Sequence, residues 1–354
     1  MIQTAVGLSR QGVSVCMLEG EPSILFDSAR VVKGFTLSGQ RSLLGDAFGI
    51  RRLAHNMKSD CLVAFTDFFP ETLVPTVLVA VITRRKLLVN VTSTAYKAED
   101  GRRLLGLVRD RKTGDGIGPL LAFFAYHTSR RLAFRIGTCL VANHYMEVYS
   151  RSRLHARRVA IVGGGVEDFW YSRSGAAKEF DGVYVGRFDP SKRVPTLIRA
   201  WRRVVDKKAD AKLLLVGESG TELPLVRRLV DELDLSSNVT FAGFINDRRE
   251  LADRVRSAKL FAFPSVREGF GLVVAEAMAA GLPCVICDVE PLREVFGAAA
   301  ILVRADEPGG FAEAILGLLL DERRRSEYST RSVSLAQNFS WNTVAKNVLA
   351  AIDN

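Results

Sequence analysis

Pro264-Ser265-Val266-Arg267-Glu268-Gly269-Phe270-Gly271-Leu272-Val273-Val274-Ala275-Glu276-Ala277 is the stretch on which the reading of this chain turns. The apolar run Leu260 to Pro264 reads as a buried strand, and Leu272 to Ala280 as a helix built of Val, Ala and Met. Between them Gly269 and Gly271 let backbone N–H groups approach a ligand at the positive end of the helix, which outlines an anion site. Glu276 lies about one and a half turns into that helix, in otherwise apolar company. A carboxylate so placed needs a partner, and either sugar hydroxyls or a salt bridge to a neighbouring segment would supply it.

Outward from this stretch, strand and helix signals alternate. Strands are expected at Gly182 to Arg187, Lys212 to Gly217, Val239 to Ala242, Cys284 to Cys287 and Ala299 to Val303. Helices are expected at Val194 to Val205, Glu222 to Leu233 and Asp247 to Arg256. Short apolar strands separated by helices of about ten residues are what parallel βαβ units require, since each crossover needs a helix. The first half repeats the rhythm with strands near Val13 to Leu18, Cys61 to Phe65, Leu87 to Val91, Cys139 to Ala142 and Val159 to Val162. The polar stretch Asp168 to Asp181 reads as the interdomain linker. The expected fold is therefore α/β, with two Rossmann-like domains facing across a cleft. Their boundaries fall at 1–168 and 169–338, followed by a terminal helix, 339–354, that crosses back to the first domain.

A chain of 354 residues, 48% hydrophobic and 25% charged, has the composition of a folded protein with room for two cores, which excludes disorder. Five scattered cysteines and no signal-peptide pattern at Met1 give a cytoplasmic expectation. Cys284-x-x-Cys287 lies in a strand-like run without a second ligand pair, so neither zinc nor redox chemistry is expected there. No apolar run reaches the roughly 20 residues that span a bilayer. Residues 1–172 hold 23 Lys/Arg against 14 Asp/Glu, a net of +9, whereas 173–354 carry +1 of the total +10. Such a one-sided field suits an anionic partner, and the basic, apolar segment Leu120 to Arg135 could form an interfacial helix at the inner face of a membrane, or pack in the core. Aromatics are not interleaved with the basic clusters in a nucleic-acid module, so no nucleic acid is expected.

In open α/β sheets ligands bind beyond the carboxyl ends of the strands. Arg187 closes one predicted strand and Lys192 follows the turn Phe188-Asp189-Pro190-Ser191, so two cations converge where a diphosphate could be neutralised. Taken in order, Gly186-Arg187-Phe188-Asp189-Pro190-Ser191-Lys192, Leu215-Val216-Gly217, Phe241-Ala242-Gly243-Phe244, Glu268 through Glu276 and Gly281-Leu282-Pro283 resemble the retaining glycosyltransferases of family four. The Glu268/Glu276 spacing is that family's E-x7-E motif, and Ser340-Trp341 resembles the start of its terminal helix.

The resemblance implies the GT-B fold and transfer of a hexosyl group from a nucleotide-diphosphate sugar to a glycan or lipid-linked acceptor. It implies retention of configuration by front-face displacement, with no cofactor and no obligatory metal. Arg187 and Lys192 would hold the diphosphate, and the N–H groups of Phe270, Gly271 and Leu272 would assist beside Gly269. Glu268 would bind the transferred sugar and Glu276 the ribose, with Gly186 and Phe244 also lining the donor site. The chain departs from the family in its first half. Met1 to Arg10 already reads as a helix, so the family's first strand and Gly-rich loop are expected to be missing, and Val91-Thr92-Ser93-Thr94-Ala95-Tyr96 lacks the His often found there. A non-catalytic subunit of the same fold, or a truncated paralogue, is the alternative from another class. An epimerase or phosphorylase would share the donor site, whereas Val162-Gly163-Gly164-Gly165-Val166-Glu167-Asp168 departs from a dinucleotide fingerprint at Asp168.

Overall fold

The computed structural model describes residues 61–65, a few positions between 77 and 84, 86–91, 118–172 and 177–353. The helix and strand expected within Met1 to Leu18, and the segment 92–96, lie outside the described residues. The chain divides into two units, one of residues 1–163 with 341–354 and the other of 164–340.

In the first unit β1 (Cys61–Phe65), β2 (Lys86–Asn90), β3 (Thr138–Val141) and β4 (Arg158–Ile161) form a parallel sheet in that order. Alternate residues of β2 point to opposite faces, and both faces are covered. Leu87 and Val89 join Phe134, Cys139, Val141 and Met146 beneath α1 (Gly118–Ile136) and α2 (His144–Arg153). Leu88 and Leu140 pack with Val344, Ala345 and Val348 of α10 (Trp341–Asp353), so the end of the chain supplies the second layer. Ala133 and Phe134 are buried and set the last turns of α1 against this core, while Leu132 and Ile136 stay exposed beside the exposed Arg131 and Arg135.

The second unit is a six-stranded parallel sheet of β5 (Phe180–Val185), β6 (Leu213–Val216), β7 (Val239–Gly243), β8 (Ala258–Phe263), β9 (Cys284–Cys287) and β10 (Ile301–Val303). Its crossovers include α3 (Val194–Val205), α4 (Leu223–Glu232), α5 (Arg248–Arg256), α6 (Leu272–Ala279) and α7 (Leu292–Phe296), followed by α8 (Pro308–Leu319) and α9 (Glu322–Ala336). In α3 the buried Val194, Leu197, Ile198, Trp201 and Val204 recur every three or four residues, which is one helix face laid on the sheet. Cys284 and Cys287 are buried free thiols of β9.

The segment expected as a linker is ordered at both ends. Asp168–Tyr171 is a 3-10 helix with Trp170 buried, and Asp181 lies inside β5, where its carboxylate meets Lys259 Nζ at 2.9 Å and the Lys212 N–H at 3.0 Å. Polar composition misleads here because Asp181 is a buried, fully paired charge.

Candidate functional site

The strands of the second unit run β10-β9-β8-β5-β6-β7, so the winding reverses between β5 and β8. A crevice opens at such a reversal, and ligands settle there against the carboxyl ends of the strands. The loops leaving β5 and β8 are the two that carry Arg187, Lys192 and Glu268.

The two loops are stitched together. The Val266 N–H donates to the Ser191 carbonyl at 2.9 Å, and the buried Ser265 hydroxyl donates to Glu268 Oε1 at 2.7 Å. Lys192 reaches the same oxygen at 2.5 Å, with both side chains mostly buried, and lies 5.4 Å from the Phe263 ring centroid. Arg187 lies just past the end of β5 rather than within it, and its exposed guanidinium pairs with Asp189 at 2.9 Å. Arg187 and Lys192 thus share one segment but engage different carboxylates. Gly186, before them, is tied to β6 by its N–H to the Val216 carbonyl at 3.0 Å.

Past Gly269 the chain enters α6. Gly271 caps it at φ +97, a left-handed conformation that a side chain resists, and a Cβ there would come within 2.8 Å of Leu292. Phe270 is buried edge-on against Phe296 and Phe339, which fixes the approach to the helix, while Leu272 is exposed. The backbone N–H groups of Phe270, Gly271 and Leu272 have no acceptor among the described residues, so the positive end of α6 is open to an anion.

Glu276 is buried on α6 and ion-paired through Oε1 with Arg248 Nη2. The salt bridge foreseen as one of its two partners is present. Burial pushes the Glu276 carboxyl up to about 7, while Arg248 pulls it down. Arg248 also meets Glu167 at 3.3 Å and lies 5.6 Å from the Trp170 ring centroid. Phe244, in the loop between β7 and α5, is 65% exposed and offers a free aromatic face. Among the described residues no cluster of three or more His, Cys, Asp or Glu side chains is placed to hold a metal ion.

Arg248, Glu167 and Ser265 stand beside the candidate site residues and were not singled out in the sequence reading. A signal existed for Arg248: Asp247 accepts from the Arg249 N–H at 2.7 Å as the cap of α5, so Arg248 opens a helix beyond the end of β7, where ligands gather. Its pairing with a carboxylate on another helix has no local sequence mark.

Residues 157–333 match the family model described as glycosyl transferases group 1. A phosphatidyl-myo-inositol mannosyltransferase of Mycolicibacterium smegmatis is 32% identical over 176 residues, which are 47% of this chain and 43% of that protein. D-inositol 3-phosphate glycosyltransferase 2 of Catenulispora acidiphila is 31% identical over 229 residues, 58% of this chain and 53% of its own. The chain spans about half the length of the curated relatives it matches. Among solved structures, a glycosyltransferase from Rickettsia africae aligns with a TM-score of 0.77 at 12% identity, over 99% of this chain and 93% of that one. Anabaena HepE, in complex with UDP and glucose, aligns with a TM-score of 0.72 at 18% identity, over 99% and 94%. At these identities the structures speak for the fold, the α/β architecture of GT-B glycosyltransferases, and the family follows from the match over half of the sequence: the chain belongs to the group 1 glycosyl transferases.

Proposed function

We propose that this protein transfers a hexosyl group from a nucleotide-diphosphate sugar to an acceptor, with the donor held at the strand ends of residues 164–340. The observation that carries this is the Lys192–Glu268 pair at the sheet reversal, beside the open N–H groups of Phe270, Gly271 and Leu272. Lys192, Arg187 and the helix end neutralise the diphosphate, and their hold tightens as charge builds on the departing oxygen. Glu268 takes hydroxyls of the transferred sugar, Glu276 those of the ribose, and Phe244 faces the base. The bond from the anomeric carbon to the diphosphate oxygen breaks while the acceptor oxygen bonds to that carbon from the same face and passes its proton to the departing phosphate oxygen, so configuration is retained. In this reading the charge is carried by Arg187, Lys192 and the helix end, with no metal required. The mannosyltransferase and glycosyltransferase names of the relatives, and the UDP held by HepE, favour a nucleotide-sugar donor.

A thermal-shift panel of UDP, GDP, ADP and their sugars tests donor binding. A ligand at 100 times its dissociation constant adds about 2.7 kcal/mol to stability. A panel that moves nothing removes the proposed donor site. For the acceptor we propose a lipid-linked or otherwise anionic molecule. That choice is favoured by Leu132 and Ile136, exposed on α1 beside Arg131 and Arg135, and by the +9 charge of residues 1–172.

A further inference from the structure

We propose that Arg248 is the positioning residue of the ribose subsite: bridging Glu167 and Glu276, it pins Oε1 of Glu276 and leaves Oε2 to accept from a ribose hydroxyl. This rests on Glu276 being the ribose carboxylate.

Four observations support it. The Arg248 guanidinium nitrogen that meets Glu276 also meets Glu167 at 3.3 Å, so one cation serves two carboxylates. Trp170 lies beneath the guanidinium, its ring centroid 5.6 Å away, and is itself fully buried, so the arginine is seated on a fixed surface. Glu276 Oε2 has no hydrogen-bond partner among the described residues, and the Glu276 side chain keeps 6% exposure. Arg248 itself is 45% exposed while the Glu276 side chain keeps only 6%, so the guanidinium can be reached from solvent beside a carboxylate that is almost covered.

The chemistry follows from charge. A ribose hydroxyl donates to a carboxylate, so Glu276 must be ionised to accept fully. Burial opposes ionisation and Arg248 favours it, while Glu167 opposes it through space and, in return, holds Arg248 in place. Arg248 on α5 and Glu167 ahead of the 3-10 helix are the charged groups that act on Glu276. With Arg248 in place the carboxyl titrates at about 7; without it the carboxyl would keep its proton to higher pH and lose its orientation.

The test compares binding of UDP and GDP with that of their 2′-deoxy forms to the full-length protein by calorimetry. The parent is expected to prefer the ribo form of whichever nucleotide binds, by about tenfold, the size of one hydrogen bond to a charged group. Glu276→Gln removes that preference. Arg248→Leu removes it at pH 7 and regains part of it by pH 9, as Glu276 ionises again. Arg248→Lys keeps part of it throughout, and Glu167→Gln weakens it. Circular dichroism checks that each variant is folded, and Arg248→Lys carries the test if Arg248→Leu is not. An Arg248→Leu protein with the parent preference, or one whose loss does not respond to pH, overturns the proposal while leaving Glu276 as the ribose residue. A parent with no preference, or a Glu276→Gln protein that keeps it, removes the ribose reading of Glu276 and the positioning role with it.

Discussion

Lys192 and Glu276 show two different uses of a buried charge. Lys192 meets a carboxylate and leaves a helix end unfilled beside it, whereas Glu276 is held against the cost of its own burial. If Lys192 and Arg187 stabilise a departing diphosphate, their help is greater in the transition state than in the ground state. Replacing each by Ala is then expected to lower kcat by about 10² to 10³, and a steady-state assay in which the double variant turns over at the parent rate counts against this cleft as the reaction site. For Glu276 the ordinary value is 4.5 and the folded value about 7. Between those values the folded state holds a proton that the unfolded state has released, so stability falls as pH rises through that window and levels off above it. The Glu276→Gln protein lacks this loss. Its melting temperature relative to the parent is expected to climb from pH 4.5 to pH 7, and a gap that stays constant with pH would contradict the role assigned to burial. Arg187, Lys192, Glu268 and Glu276 could be named as candidates from the sequence because each sits in an ordered motif. Arg248 could not, because its meaning depends on a partner 28 residues away on another helix.

At the scale of elements, the strands and helices of residues 180–336 could be read nearly to the residue where both ends carry punctuation. The helix Val194–Val205 and the strand Cys284–Cys287 fall where they were expected, the first beginning with Val-Pro and the second lying between Gly281-Leu282-Pro283 and Asp288. The reading failed at Asp181, since a charged residue inside a strand looks like a loop until its partners are seen. What the periodicity could not give is why α3 lies so close to the sheet. Gly182 on β5 faces Trp201, and a Cβ there would stand 2.9 Å from the indole. β5 is flanked by β6 and β8, so its backbone has little freedom to yield. Gly182→Ala is therefore expected to cost about 1–3 kcal/mol, the usual penalty for overfilling a core, and a second change of Trp201 to Leu should return part of it. Urea unfolding of the single and double variants measures this, and simple additivity of the two costs would show that the indole is not what Gly182 makes room for.

At the scale of the whole molecule the charge divides as the sequence does, +9 in residues 1–172 and +1 in the rest. No described helix is long and apolar enough to cross a membrane. If the acceptor is lipid-linked, as proposed, the exposed Leu132 and Ile136 beside Arg131 and Arg135 would meet the lipid surface, and sedimentation is expected to show binding to anionic vesicles but not neutral ones, weakening as salt is raised. Equal binding to both kinds of vesicle would dispose of the electrostatic account. The family model matches residues 157–333, close to the unit 164–340. The two ends of that unit meet: Val166 pairs with Ser340 as an isolated bridge, and the Val166 N–H donates to the Phe339 carbonyl at 2.7 Å. A segment whose entry and exit are already joined closes its own loop, so moving it into a different host chain requires no distant points to be brought together. That gives a physical reason why residues 164–340 could be exchanged between host chains as one cassette.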